Sequence, residues 1–132
     1  MEETKMGMFK VKARVANPKD QNRFFEEEFW IDTGSLYTFI PEDRLEGIGI
    51  EPSRTREFTL ADGRRDRRLL GEALITLREL NETTTNPVVF GPRDSLYLIG
   101  AVTLETFAVE VDPATRELKP ITAIIGAHFD SR

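Results

Sequence analysis

Phe9, Val11, Ala13 and Val15 alternate with Lys10, Lys12, Arg14 and Ala16, the period-two pattern of a strand with one buried face. The polar run 17–22 supplies a turn, and a second strand, Phe24 to Ile31, returns antiparallel and ends on Asp32. Leu36 to Ile40 reads as a third strand. Pro41 to Leu45 follows as one or two helical turns, with proline at a tolerated early position and acids in the first turn. Further on, Arg56 to Ala61 and Arg67 to Leu77 flank Asp62-Gly63, a strong short-range hairpin signal. Asn81 to Asn86 reads as a polar loop, Pro87 to Gly91 as a short buried strand, and Leu96 to Ala101 as an apolar strand broken by Gly100. Ala108 to Pro113 alternates, and Glu117 to Ile121 answers it across a turn. Short strands and close-set turns predict an all-β domain, a partly closed barrel with one or two short helices. The segment Ile121 to Phe129 is apolar for a terminus and is expected to pair with another chain or cover the core.

At 132 residues the chain is expected to form a single domain, 1–132, with no internal repeat or dividing linker. Its apolar content of 39% and charged content of 31% are those of an ordinary soluble protein, and no apolar run is long enough to cross a membrane. Met1 to Lys5 lack the basic start and apolar stretch of a secretory signal, so a cytoplasmic location is expected. A net charge of −5 argues against a general nucleic-acid binder. Arg64, Arg65, Arg67 and Arg68 form a basic cluster, which reads either as a solvated hairpin tip or as a contact for an acidic substrate.

Without cysteine there is no disulfide, thiol nucleophile or cysteine metal site. The single histidine, His128, supports neither a Ser-His-Asp arrangement nor a two-histidine zinc helix, and reads as a surface residue. Asn81-Glu82-Thr83 fits a glycosylation triplet but reads as polar loop.

The stretch that carries chemistry is Phe29-Trp30-Ile31-Asp32-Thr33-Gly34-Ser35, followed by Thr38 and the apolar Phe39-Ile40. An apolar strand that runs into a carboxylate carries charge toward a largely buried place, where it must find donors or take up a proton. Thr33 and Ser35 bring hydroxyls to either side of Asp32, and Gly34 is expected to relieve a collision at the turn. A plain polar turn, with Asp32 satisfied by local backbone donors, is the alternative. Chance places Asp-Thr-Gly in a chain this long about one or two times in a hundred, so the tripeptide is moderately specific.

With these flanks the sequence resembles the retropepsin-like aspartic proteases, of the single-lobed cellular or prokaryotic type. Three matched parts stand in order from Phe25 to Pro120: Asp32-Thr33-Gly34-Ser35 with Thr38, the Asp62-Gly63 hairpin, and Leu98-Ile99-Gly100. The resemblance implies a retropepsin-like barrel, with the hairpin as a flap over the substrate and a short helix over Val102 to Phe107. It implies Leu60, Ala61, Asp62 and Gly63 as flap residues, and Leu98, Ile99 and Gly100 as walls of a peptide site. Leu36 and Tyr37 stand where viral members carry acids, and Ala101 where they carry an arginine. Their backbone contacts and ion pair are therefore not transferred.

Aspartic proteolysis needs two carboxylates that share a proton. Of the seven further aspartates none precedes Thr-Gly or Ser-Gly, so the resemblance implies a homodimer with one Asp32 from each chain. Thr33 is then expected to lock the two turns together, and Ser35 to hydrogen-bond the carboxylate. The substrate would be a peptide or protein, with no metal or organic cofactor. A catalytically silent binding or assembly module on the same barrel is the competing reading. A metal-binding domain built on Asp32 and other acids lacks ligand spacing.

Overall fold

The computed structural model describes residues 9–60 and 62–122. Met1 to Lys5, Ala61, His128 and most of the apolar tail lie outside the described residues. In chain order the elements are β1 (Lys10–Asn17), β2 (Asp20–Ile31), β3 (Thr38–Pro41), α1 (Glu42–Gly47), β4 (Arg54–Thr59) and β5 (Arg65–Leu77). They continue as β6 (Glu82–Gly91), β7 (Leu98–Ile99), α2 (Ala101–Thr106), β8 (Val109–Asp112) and β9 (Glu117–Pro120).

Seven strands form one sheet in the order β1-β2-β7-β3-β6-β5-β4, and a further pairing of β1 with β5 bends it into a ring. β4 lies outside that ring as the free arm of a hairpin, while β8 and β9 make a separate ribbon. The ring is what period-two alternation produces when every strand turns one face inward. Across β1 and β2, Val11 faces Phe29 and Val15 faces Phe25, while Lys12 faces Glu28 and Arg14 faces Glu26 outside. Apolar pairs therefore fill the interior and opposite charges meet on the solvent side. In β5, Leu70, Ala73, Ile75 and Leu77 are fully buried, and the first of these marks where the strand leaves the free arm and joins the ring. Burying each such aliphatic side chain contributes about 1.5–3 kcal/mol.

The structure departs from expectation in four segments. β2 begins at Asp20, inside the run 17–22 read as a turn, and Asn17 already pairs with Asp20. The polar stretch 81–86 is largely strand: Thr83, Thr84, Thr85 and Asn86 pair with Thr76, Ile75, Leu74 and Ala73. β-Branched threonines suit a half-buried ladder, and the turn is confined to residues around Asn81, at φ 56°. The third strand begins only at Thr38, because Leu36 spends its carbonyl on the Val102 N–H. β7 is only Leu98 and Ile99, because Gly100 already caps α2. No helix among the described residues is long and apolar enough to cross a membrane.

Candidate active site

β2 delivers Asp32 at its end, and the turn 32–35 folds back on itself through the Ser35 N–H, which donates to the Asp32 carbonyl at 3.1 Å. One carboxylate oxygen, Oδ1, accepts the Gly34 N–H at 3.0 Å. Oδ2 has no hydrogen-bond partner among the described residues. Asp32 is half-buried and Thr33 exposed, so the acid stands at the surface of the chain and not within its core. Ser35 does not hold the carboxylate: its hydroxyl donates to the Tyr37 carbonyl at 2.8 Å and braces the exit of the turn. A Cβ on Gly34 would sit 3.4 Å from Asp32 Oδ1, an ordinary contact, so the collision expected there is absent within the chain.

The collision lies at Gly100. A Cβ there would overlap the Tyr37 carbonyl and crowd the Ser35 carbonyl, because the start of α2 passes directly under the turn. This close approach lets the first amides of α2, which have no partner inside the helix, donate outward: Ala101 N–H to the Ser35 carbonyl at 2.8 Å and Val102 N–H to the Leu36 carbonyl at 2.9 Å. On the other side the Asp32 N–H donates to the Ile99 carbonyl at 2.9 Å. Thr38 completes the clamp. Its buried hydroxyl accepts the Gly100 N–H at 3.1 Å and lies 2.6 Å from the Thr103 hydroxyl, which is also fully buried.

β7 is fixed in turn by Tyr97. Its carbonyl accepts the Trp30 N–H, its ring packs edge-on against Phe29 at 5.4 Å, and its hydroxyl accepts from Arg44 at 2.6 Å. Burial raises the Tyr97 phenol above its ordinary pKa, with the Arg44 guanidinium opposing that shift.

Of the three expected wall residues, Leu98 is half-buried and paired with Phe39. Ile99 is fully buried and Gly100 lies beneath the turn, so these two support the acid rather than offer side-chain surface to a peptide.

The hairpin stands where the order of motifs places it, with Thr59 opposite Arg65. The Gly63 N–H donates back to the Leu60 carbonyl at 2.9 Å, and the Leu60 N–H donates to the Arg64 carbonyl at 2.7 Å. Gly63 has φ +88°, the left-handed conformation that closes a three-residue hairpin loop and that glycine adopts at no steric cost. Asp62 accepts from the Arg64 backbone N–H and from its guanidinium, which together hold the carboxyl below the usual aspartate range.

One contact joins hairpin and acid turn that the sequence did not announce. The Phe58 ring on β4 meets Tyr37 at 6.1 Å, edge-on, and Phe39 at 5.8 Å. Edge-to-face aromatic pairs of this kind add about 0.5–1.5 kcal/mol beyond area burial. The hairpin is thereby drawn toward the segment that leaves Asp32. Thr103 and Phe58 were legible only as parts of their elements, since nothing in their spacing names a partner. Among the described residues no group of three or more His, Asp or Glu could hold a metal ion.

No protein-family model matches the sequence, and no curated protein matches it. Among solved structures the chain is similar to the solution structure of the simian foamy virus (mac) protease. That match has 16% identity and a TM-score of 0.52, and covers 74% of this chain and 92% of that one. With the ring-closed sheet, the acid turn clamped over β7 and α2, and the free hairpin arm, the chain has a retropepsin-like β-barrel fold.

Proposed function

We propose that the chain is one half of a homodimeric aspartic endopeptidase of the single-lobed type, in which Asp32 from each of two copies forms the catalytic pair. The observation that carries this reading is the Asp32 turn itself. Its backbone is clamped by Ile99, Ala101 and Val102, while carboxylate Oδ2 and the neighbouring Thr33 remain open at the surface. A carboxylate fixed by its backbone and left open at one oxygen is pre-positioned to meet a second group. Leu36, just past the turn, is 59% exposed, an apolar side chain beside the acid that a second copy could cover.

In the pair one carboxylate is charged and the other carries the shared proton. The charged one takes a proton from water as the water oxygen attacks the scissile carbonyl carbon, and the protonated one donates to the carbonyl oxygen. Collapse of the resulting gem-diol passes a proton to the amide nitrogen and breaks the C–N bond, leaving an acid and an amine. Thr33, exposed on each copy, would hydrogen-bond across the two-fold axis, and the hairpin would cover the peptide.

The decisive experiment is cleavage of a diverse peptide library from acidic to neutral pH by the wild-type protein and by Asp32→Asn, with sedimentation of both. The expected result is a dimer in each case and cleavage by the wild type alone, with the rate falling on both sides of an optimum. Asp32→Asn that cleaves at the wild-type rate, or a wild-type monomer at high micromolar concentration with peptide present, sinks the proposal. A wild-type dimer that binds peptides without cleaving them favours the silent binding module.

A further inference from the structure

Residues 54–68 hold six arginines and three acids, a net +3 inside a chain of net −5. The pairing register sorts them onto two faces. Arg56 lies opposite Arg68 and Phe58 opposite Asp66, on one face, while Glu57 lies opposite Arg67 and Thr59 opposite Arg65, on the other.

Burial identifies the inner face. Phe58, Asp66 and Arg68 are partly covered, and Arg56, placed on the same face by register, is exposed, as are Glu57, Thr59, Arg65 and Arg67 on the other. Phe58 also touches Tyr37 and Phe39 beside the acid turn. On the outer face Glu57 pairs with both Arg65 and Arg67, the arrangement of a solvated surface. The inner face is different. Arg68 is partly neutralised by Asp66 at 2.9 Å, but Arg56 has no carboxylate within ion-pair distance among the described residues, and faces Arg68 directly across the ladder. Like charges placed opposite each other on a sheet destabilise it. The pair therefore carries a like-charge repulsion, eased at Arg68 by Asp66, that an anionic side chain lying against this face would relieve further.

We propose that Arg56 and Arg68 form an acid-selecting wall of the peptide site, so that preferred substrates carry a glutamate or aspartate near the scissile bond. The inference rests on the protease reading and gives it a substrate class. A peptide laid between Phe58 and the Asp32 turn presents side chains to the hairpin's inner face, where two guanidinium groups favour a carboxylate. The outer arginines, already paired with Glu57, contribute only to the general field.

The test uses two octapeptide sets with the same apolar centre, one with glutamate and one with glutamine at each flanking position, on the 132-residue chain. Wild type is expected to prefer the glutamate set by about fivefold for each arginine engaged, a preference that shrinks at 0.5 M salt. Arg56→Glu and Arg68→Glu should each reverse the preference, and Arg65→Glu, with the same change in net charge, should leave it in place. Equal effects from Arg65→Glu and Arg56→Glu, or no glutamate preference in an active wild type, overturn the inference while the protease reading stands. The same peptides labelled for anisotropy and bound to Asp32→Asn separate the two in the other direction. Glutamate-selective, Arg56-dependent binding without any wild-type cleavage supports the acid-selecting face and removes the protease. Binding of a single-stranded oligonucleotide as tight as that of the glutamate peptides also overturns it, since the face would then be a phosphate site.

Discussion

The Asp32 turn is pinned by a segment some 65 residues away in sequence, whereas the hairpin of β4 and the outer half of β5 holds itself by its own ladder and meets the acid turn through Phe58. The turn and its exit are bonded through their backbone to Ile99, Ala101 and Val102, and the Thr38 hydroxyl accepts the Gly100 N–H. The hairpin has charges facing water and one aromatic contact patch. On the proposed protease reading, a site that positions an acid and also admits a chain needs both kinds of construction: rigid at the acid, self-supporting at the hairpin.

The largest effect is expected at Gly100, where the clamp is tightest. Gly100→Ala drives a Cβ into the Tyr37 carbonyl and should cost about 3 kcal/mol or more, read by urea denaturation. Gly34→Ala, with only an ordinary contact to Asp32, should change chain stability by under about 1 kcal/mol. If the two glycines cost the same, the turn is not held from beneath as described.

Thr38→Val comes next. It leaves the Gly100 N–H and the Thr103 hydroxyl buried without their partner, at about 1–3 kcal/mol. Amide exchange at Gly100 and Ala101 should quicken with it, while exchange at Leu60 and Gly63 stays as it was.

On the hairpin side, Phe58→Ala removes a half-covered ring and should cost only about 1–2 kcal/mol. It should nonetheless raise the KM of a peptide severalfold, because the hairpin loses its attachment to the acid turn. An unchanged KM would mean that the hairpin does not cover the peptide.

The smallest effect lies at the tip. The Asp62 carboxyl, held low by the Arg64 backbone N–H and guanidinium, should titrate below an ordinary aspartate by NMR and move upward in Arg64→Ser. A lowered folded-state value stabilises the fold above the ordinary aspartate pKa and loses that contribution as pH falls through the acid range. In so exposed a group the contribution is slight, and melting temperature at neutral pH should barely respond.

The strands with one wet face were legible because alternation is local: Val11 to Val15 and Leu70 to Leu77 state their own burial. The turn at Asp32 and the hairpin at Gly63 were legible for the same reason, since glycine and short polar side chains mark a backbone need within a few residues. What could not be read was partnership. Ser35 beside an aspartate suggests a bond to the carboxylate, yet the nearer geometric solution is the Tyr37 carbonyl. The threonines of 83–85 look polar in isolation, and only β5 alongside makes them a strand. Ile99, expected to line a wall, faces the core because β7 is wedged between β2 and β3. The two glycines exchanged importance because the obstruction at Gly100 comes from a loop far away in sequence.

The wedge of β7 also sets an order of events in synthesis and refolding. β1 and β2 can pair through a short turn, and so can β4 with β5 and β5 with β6, each soon after emergence. The Asp32 turn cannot, because the carbonyl and amides that clamp it belong to residues 99–102 and its threonine latch ends at Thr103. Closing so long a loop must precede any gain from those bonds, which places the acid turn among the slow, late steps of folding. A chain cut short before Leu98 would carry the acid without its clamp. The arrangement around Asp32 would then be complete only as the barrel closes, so a partly made or partly unfolded chain would carry the acid in an unfixed turn.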